Sequence, residues 1–136
     1  MNPETLISKY YKDSPEAHRI LLRHSQEVAE LARRIACEER CDEDFVWQAA
    51  MLHDIGIIYT DSPDIGCHGR EPYIRHGVIG RSILDKESLP RHGLVCERHI
   101  GLGLTKDSII RQGLPLEQRD MVPVTAEEQI VCYADL

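Results

Sequence analysis

Residues 14–38, SPEAHRILLRHSQEVAELARRIACE, do most to limit what this chain can fold into. Ile20, Leu21, Val28, Leu31, Ala32 and Ile35 recur at three- and four-residue steps, the repeat of an amphipathic helix. Ser14 is expected as the N-cap, and Pro15, with its fixed φ, suits the first helical position. The run DEDFVWQAAMLHD predicts a second helix capped by Asp42, with Gly56 soon after its end. Pro, Gly, Asp and Ser cluster in YTDSPDIGCHGREP, so residues 59–72 read as a loop. Further helices are expected over about 73–84, 91–99 and 105–111, with GLPLEQRDMVPVT as loop. Thr125 should cap a last helix, AEEQIVCYADL, with Glu128 placed as in a capping box. No stretch reads convincingly as a strand. The expectation is an all-α fold, a single compact helical bundle over residues 1–136.

The sequence is 136 residues long, enough to bury a core without disulfides or metal staples. Aromatics make up only 5%, so that core must be mainly aliphatic. The formal net charge of −7 argues against a nucleic-acid polymer as partner, because such binding rests on a basic surface. It does not exclude a small anionic substrate, since bound cations reverse the local sign. The five cysteines, Cys37, Cys41, Cys67, Cys96 and Cys132, are odd in number and scattered, as reduced thiols in the cytoplasm are. The opening MNPETLISKYYKDSPEAHR is too polar for a signal sequence, and no apolar run nears the ~18–20 residues of a membrane span. A cytoplasmic protein with no membrane contact is expected. Oligomeric state stays open, because Leu114, Leu116 and Val122 suit a core or an interface equally.

The polar residues that fall on apolar faces carry the chemistry. His24 lies four residues after Ile20 and four before Val28, so it points toward the buried side. His76 precedes Ile79 and Ile83 by three and seven, His99 follows Val95 by four, and Asp135 follows Val131 by four. Groups aimed into a core need partners. Each alone has an ordinary explanation as a hydrogen-bonded side chain or a cap. A shared cation satisfies all of them at once. His53 and Asp54 are adjacent, and adjacent helical residues point about 100° apart. At a helix end, however, the last turn and the next residue can aim at one point beyond it. Asp54, with two oxygens, is then placed to bridge two ions.

The order His24, then His53-Asp54 within HDIG, then Asp135 resembles the HD-domain metal-dependent phosphohydrolases, in the manner of small stand-alone HDIG proteins. The resemblance runs from about residue 20 to the end. It implies His24, His53, Asp54 and Asp135 as metal ligands. Two-metal branches of the family add two histidines, and His76 in IRHGVIG and His99 in ERHIGLG stand at those positions. Those branches hydrolyse diadenosine tetraphosphate or cyclic dinucleotides. The GYP signature of the latter is replaced here by HIGLGLT.

The resemblance implies cleavage of a phosphate ester of a nucleotide or related small molecule by a metal-bound hydroxide, with Asp54 and His53 catalytic. One or two divalent transition metals are expected, iron or manganese first and cobalt, nickel or zinc as substitutes. His68, Arg70, Arg75 and Lys106 are expected near the substrate, because Arg forks match phosphate oxygens. His92 is expected as a cap or a group behind the ligands, and His18 as solvent-facing. Two other readings are a non-catalytic nucleotide-binding module of HD type and a helical domain whose histidines are merely hydrogen-bonded. Leu136 ends the sequence one residue after Asp135, so either the chain is trimmed there or the last ligand sits on a fraying helix end.

Overall fold

A computed structural model describes residues 1–136. It contains seven α-helices: α1 (Pro3–Tyr11), α2 (Pro15–Glu38), α3 (Glu43–Leu52), α4 (His76–Lys86), α5 (Pro90–Arg98), α6 (Lys106–Gln112) and α7 (Ala126–Ala134). The helical expectation holds, with one helix added and one region more ordered than its composition implied. The added helix, α1, is capped by Asn2, whose side chain accepts from the backbone N–H groups of Glu4 and Thr5. It buries Leu6, Ile7 and Tyr11.

The stretch 59–72 is not plain loop. Ile55–Tyr59 and Pro63–Ile65 form 3-10 turns, and β1 (Asp61–Ser62) pairs antiparallel with β2 (Cys67–His68). Asp61 faces His68 and Ser62 faces Cys67 in that register. Gly66 makes the reversal at φ +79°, a conformation glycine adopts without a Cβ clash. Two residues per strand give no periodicity to read, which is why composition alone pointed to a loop.

The capping expectations fared unevenly. Asp42 accepts from the Phe45 N–H and Thr125 from the Glu128 N–H, as read from the sequence. Ser14 stands at the start of α2 but its side chain makes no capping bond. Glu128 reaches back to the Val124 N–H, one residue earlier than a capping box requires.

α2 presents Ala17, Leu21, Ser25, Val28, Ala29, Ala32 and Ala36 to the interior. Its alanines let α3 approach closely. α3 buries Phe45, Val46 and all of Ala49–Leu52, so it runs through the middle of the molecule. The main core joins α1, α2, α3, α4, α5 and α7 around these side chains. A second small cluster, Ile109, Leu116 and Met121, seats α6 and the 113–124 segment, with Leu114 packed on it. Leu114 and Leu116 are thereby core residues. No helix is long and apolar enough to cross a membrane.

Gly56, expected soon after the end of α3, lies in the 3-10 turn that follows it, and its φ is not left-handed. A Cβ there would overlap the His76 carbonyl oxygen and stand 2.6 Å from the Gly80 nitrogen. Only a residue without a side chain lets α4 lie this close to the end of α3. Gly77 does the same on the other side, where a Cβ would sit 2.7 Å from the Cys96 carbonyl oxygen of α5.

Candidate metal centre

These close approaches bring together six polar side chains from five helices, four of which contribute from their ends. His53 caps the C-terminus of α3 and Asp54 follows it, with φ −104° and ψ 11°. The change of backbone direction lets both side chains aim at one point. His24 comes from the middle of α2, His76 opens α4, His99 closes α5, and Asp135 caps the C-terminus of α7.

The donors fall into two groups that share one carboxylate. His24, His53, Asp54 and Asp135 form the first, and Asp54, His76 and His99 the second; within each, the ligand atoms lie within 4.8 Å of one another. In the first, Asp135 Oδ1 is 3.0 Å from His24 Nε2 and 3.1 Å from His53 Nε2. Asp54 Oδ2 is 3.1 Å from His53 Nε2 and 3.4 Å from His24 Nε2. In the second, Asp54 Oδ1 is 3.1 Å from His99 Nε2 and 3.3 Å from His76 Nε2. The two oxygens of Asp54 thus serve different groups.

The other ring nitrogens fix how these atoms are protonated. His53 Nδ1 donates to the Ala50 carbonyl at 2.5 Å, His76 Nδ1 to Tyr73 at 2.6 Å, and His99 Nδ1 to Cys96 at 2.6 Å. A carbonyl only accepts, so each Nδ1 carries a proton and a neutral ring directs a lone pair from Nε2. The same outer bond is what orients metal-ligating histidines. The second group then gathers three acceptor atoms, with His76 Nε2 and His99 Nε2 3.1 Å apart. Two lone pairs at that distance repel unless one nitrogen carries a proton or a cation lies between them, and carboxylates with imidazoles are the donor set of divalent transition metals. The residues fit a metal centre.

Burial and charge oppose each other here. Burial resists charging His53, but the neighbouring Asp54 and Asp135 carboxylates outweigh it and raise its pKa well above the usual value. Burial also pushes the Asp54 carboxyl upward, and the contacts with His53, His76 and His99 overcome this and hold it well below the carboxylate range. For Asp135, burial again pushes upward and His24 and His53 prevail, lowering it in the same way. His24 is raised, chiefly by its bond to Asp135. His99 is lowered, because desolvation dominates. Burial thus keeps the His99 imidazole of the second group neutral, as ligation requires.

The first group reaches solvent through His24, whose side chain is 44% exposed, while those of His76 and His99 are 4% and 3% exposed. A cavity of about 240 Å³ opens on His24 and Asp54. The four residues expected near substrate are not among its walls. His68 and Arg70 lie outside it, His68 exposed and Arg70 at the surface. Arg75 turns away, donating to the Pro115 carbonyl at 2.8 Å and pairing with Glu71 and Glu117. Lys106 is exposed at the start of α6. His92 is turned to Gln48, 3.0 Å away, and the Phe45 ring, apart from both groups. His18 is half-buried, with its ring 6.4 Å from that of Tyr11. Sequence reasoning missed Tyr11 and Tyr73, which line the cavity. Their only signal was proximity to turns, and proximity carries no function.

Comparison with known proteins gives the family. The HD domain family matches residues 21–136. A tRNA (cytidine(56)-2'-O)-methyltransferase of Picrophilus torridus is 36% identical over 123 residues, covering 90% of this chain and 32% of its own length. An uncharacterized protein of Methanocaldococcus jannaschii is 36% identical over 121 residues, covering 85% of this chain and 64% of its own. The chain thus spans less than two thirds of either relative. Among solved structures, the HD domain of the L. monocytogenes phosphodiesterase PgpH superposes with a TM-score of 0.64 at 22% identity, over 96% of this chain and 70% of that one. The same domain in complex with cyclic-di-AMP gives a TM-score of 0.63 at 19% identity, with the same coverage. With the family match spanning all six converging side chains, this chain belongs to the HD domain family.

Proposed function

We propose that residues 1–136 act as one HD domain that hydrolyses a phosphate ester of a nucleotide or related small molecule with the help of divalent metal. The observation that carries this reading is the sharing of Asp54, Oδ2 toward one donor group and Oδ1 toward the other. Bound divalent cations supply Lewis acidity to a phosphoryl oxygen and lower the pKa of coordinated water. His24, His53, Asp54 and Asp135 would hold one ion, and Asp54, His76 and His99 a second. Iron and manganese suit this mix of imidazole and carboxylate first, then cobalt, nickel and zinc.

The chain's own contribution is positioning. The Nδ1 bonds to Ala50, Tyr73 and Cys96 hold the rings in one tautomer. Burial of Asp54, His76 and His99 excludes bulk water and strengthens every charge interaction in the site. Positive charge for the phosphate comes from the centre itself, since the cavity beside it has no lysine or arginine. The PgpH domain seen with cyclic-di-AMP supports a nucleotide as the organic part. The net charge of −7 supports a small substrate over a nucleic-acid polymer. Five free thiols suit the cytoplasm.

The test is turnover by manganese- or iron-loaded protein of p-nitrophenyl phosphate, bis-p-nitrophenyl phosphate and cyclic mononucleotides. Expected are about two metal equivalents per chain and hydrolysis of at least one ester, abolished by EDTA and by Asp54→Ala. Nucleotide binding without turnover of any ester would replace this reading with a binding module.

A further inference from the structure

The cavity beside the metal ligands differs from an ordinary phosphate pocket. It is framed by α1, α2, the turn after α3 and the β1–β2 hairpin, and ten residues line it. His24 and Asp54, which belong to the donor groups, are its only charged or titrating polar side chains besides a thiol and two phenols. Ile20, Leu21, Ile65 and Cys67 form apolar wall. The Tyr11 hydroxyl is already engaged, donating to the Ile55 carbonyl at 2.9 Å and accepting from the Ile58 N–H at 3.1 Å. The Tyr73 ring lies 4.4 Å from that of His76, tilted 38° to it, so the aromatic wall continues to the donor atoms.

A pocket built this way reads shape more than hydrogen bonds. A charged group inside would lose its water with little replacement, which is costly. Its volume of about 240 Å³ falls below that of pockets enclosing a whole drug-sized ligand, about 300–1,000 Å³. One ring system fits, and a second phosphate or a whole dinucleotide does not.

The geometry points to this cavity as the subsite for a single uncharged, flat ring carried by the substrate, with its phosphate at the donor groups. This inference rests on the hydrolase reading only for where the phosphate sits. Such a pocket separates substrates by the presence of a ring and only weakly by its edge, because beyond the donor groups only the Tyr73 hydroxyl and the Cys67 thiol are left to read that edge. A nucleobase and a plain aryl group share this chemistry.

Phosphonates, which are not hydrolysed, test the subsite without turnover. The probes are methylphosphonate, benzylphosphonate, phosphonoacetate and an adenine-bearing alkylphosphonate, titrated calorimetrically into manganese-loaded protein. Benzylphosphonate should bind about tenfold or more tighter than methylphosphonate, and phosphonoacetate should gain nothing. Adenine matching benzyl identifies a base among the accepted rings; adenine binding no better than methyl restricts the subsite to aryl groups. Ile20→Trp, at a half-exposed wall position, should bring the benzyl-to-methyl ratio near one with manganese content retained. Ile65→Trp, on the hairpin, provides the same readout if the first variant fails to fold. Equal affinity for benzyl and methyl in the parent protein, or a preference kept by both folded variants, overturns the subsite. Ring preference without turnover of any ester would sink the hydrolase reading alone. Ester turnover without ring preference would sink this inference alone.

Discussion

His76 and His99 face each other through Nε2 at 3.1 Å, each with its Nδ1 spent on the carbonyl three residues earlier in the chain. His53 repeats the device with Ala50. One local bond thus orients every buried imidazole of the centre, and in His76 and His99 it directs the Nε2 atoms at each other. Without a metal one of these two rings must take up a second proton to avoid repulsion, so metal binding should stabilise the fold. At metal concentrations far above the dissociation constant, linkage gives about 4 kcal/mol, a rise in Tm on the order of 10 °C. Calorimetry with manganese and with EDTA measures it. His99→Ala should lower bound metal from about two equivalents to about one, and Asp54→Ala should lose both. An EDTA-insensitive Tm would contradict the cation.

Gly56 supplies the close approach on which the second donor group depends. In Gly56→Ala the new Cβ would overlap the His76 carbonyl oxygen, and backbone cannot rotate aside as a side chain can. The expected cost is about 3 kcal/mol or more, at the upper end of overpacking. A control separates this from backbone strain. Gly101 sits at φ +57° with nothing within 4 Å of where an alanine methyl would stand, so Gly101→Ala should cost only about 1–2 kcal/mol. Urea unfolding ranks the two, and metal analysis should show the loss confined to Gly56→Ala.

The same glycine marks the limit of what the sequence discloses. A glycine behind an apolar run usually signals chain termination of a helix, and Gly56 carries that signal. Close approach to α4 is a tertiary fact with no local trace. The helices and the inward placement of His24, His76, His99 and Asp135 were legible, since both follow from periodicity. The convergence of His53 and Asp54 was legible from their place at a helix end. The basic residues were not: Arg75 carries a charge suited to phosphate, yet Glu71, Glu117 and the Pro115 carbonyl claim it. The apolar cavity was invisible because α1, α2 and the hairpin meet only in space. Helix α1 was missed because its apolar residues are few and its neighbours polar.

Glu97 tests how buried charge is managed away from the centre. Its side chain is 2% exposed, and Arg81 at 2.8 Å and Arg119 both bind it. The arginines are 35% and 46% exposed. The consequences of cutting the pairs are therefore unequal. Glu97→Ala leaves two guanidiniums that can turn to water, a cost of about 1–3 kcal/mol. Replacing both arginines by alanine strands a carboxylate in the interior, a cost of about 3–5 kcal/mol. Denaturant unfolding of the single and double variants should give that order. The reverse order would mean that Glu97 reaches solvent once its partners are gone.

Asp42 gives the clearest pH dependence outside the metal ligands. It accepts the Phe45 N–H at 3.1 Å at the start of α3, and Arg91 lies 3.1 Å from its other oxygen. The backbone bond first and Arg91 second lower its pKa below the usual carboxylate value. A carboxylate whose folded pKa is depressed adds stability above its unfolded pKa of about 4 and loses it as pH falls through the folded value. Asp42→Ala should cost about 1 kcal/mol near pH 7, while Asp42→Asn keeps the cap and loses only an exposed ion pair of small worth. Below about pH 3 the protonated side chain is a weaker acceptor and no longer favoured by the helix N-terminus, so the gap between parent and Asp42→Ala should narrow. Urea unfolding at both pH values reads that gap, and one that stays constant or widens in acid would show that the carboxylate charge contributes nothing to the cap.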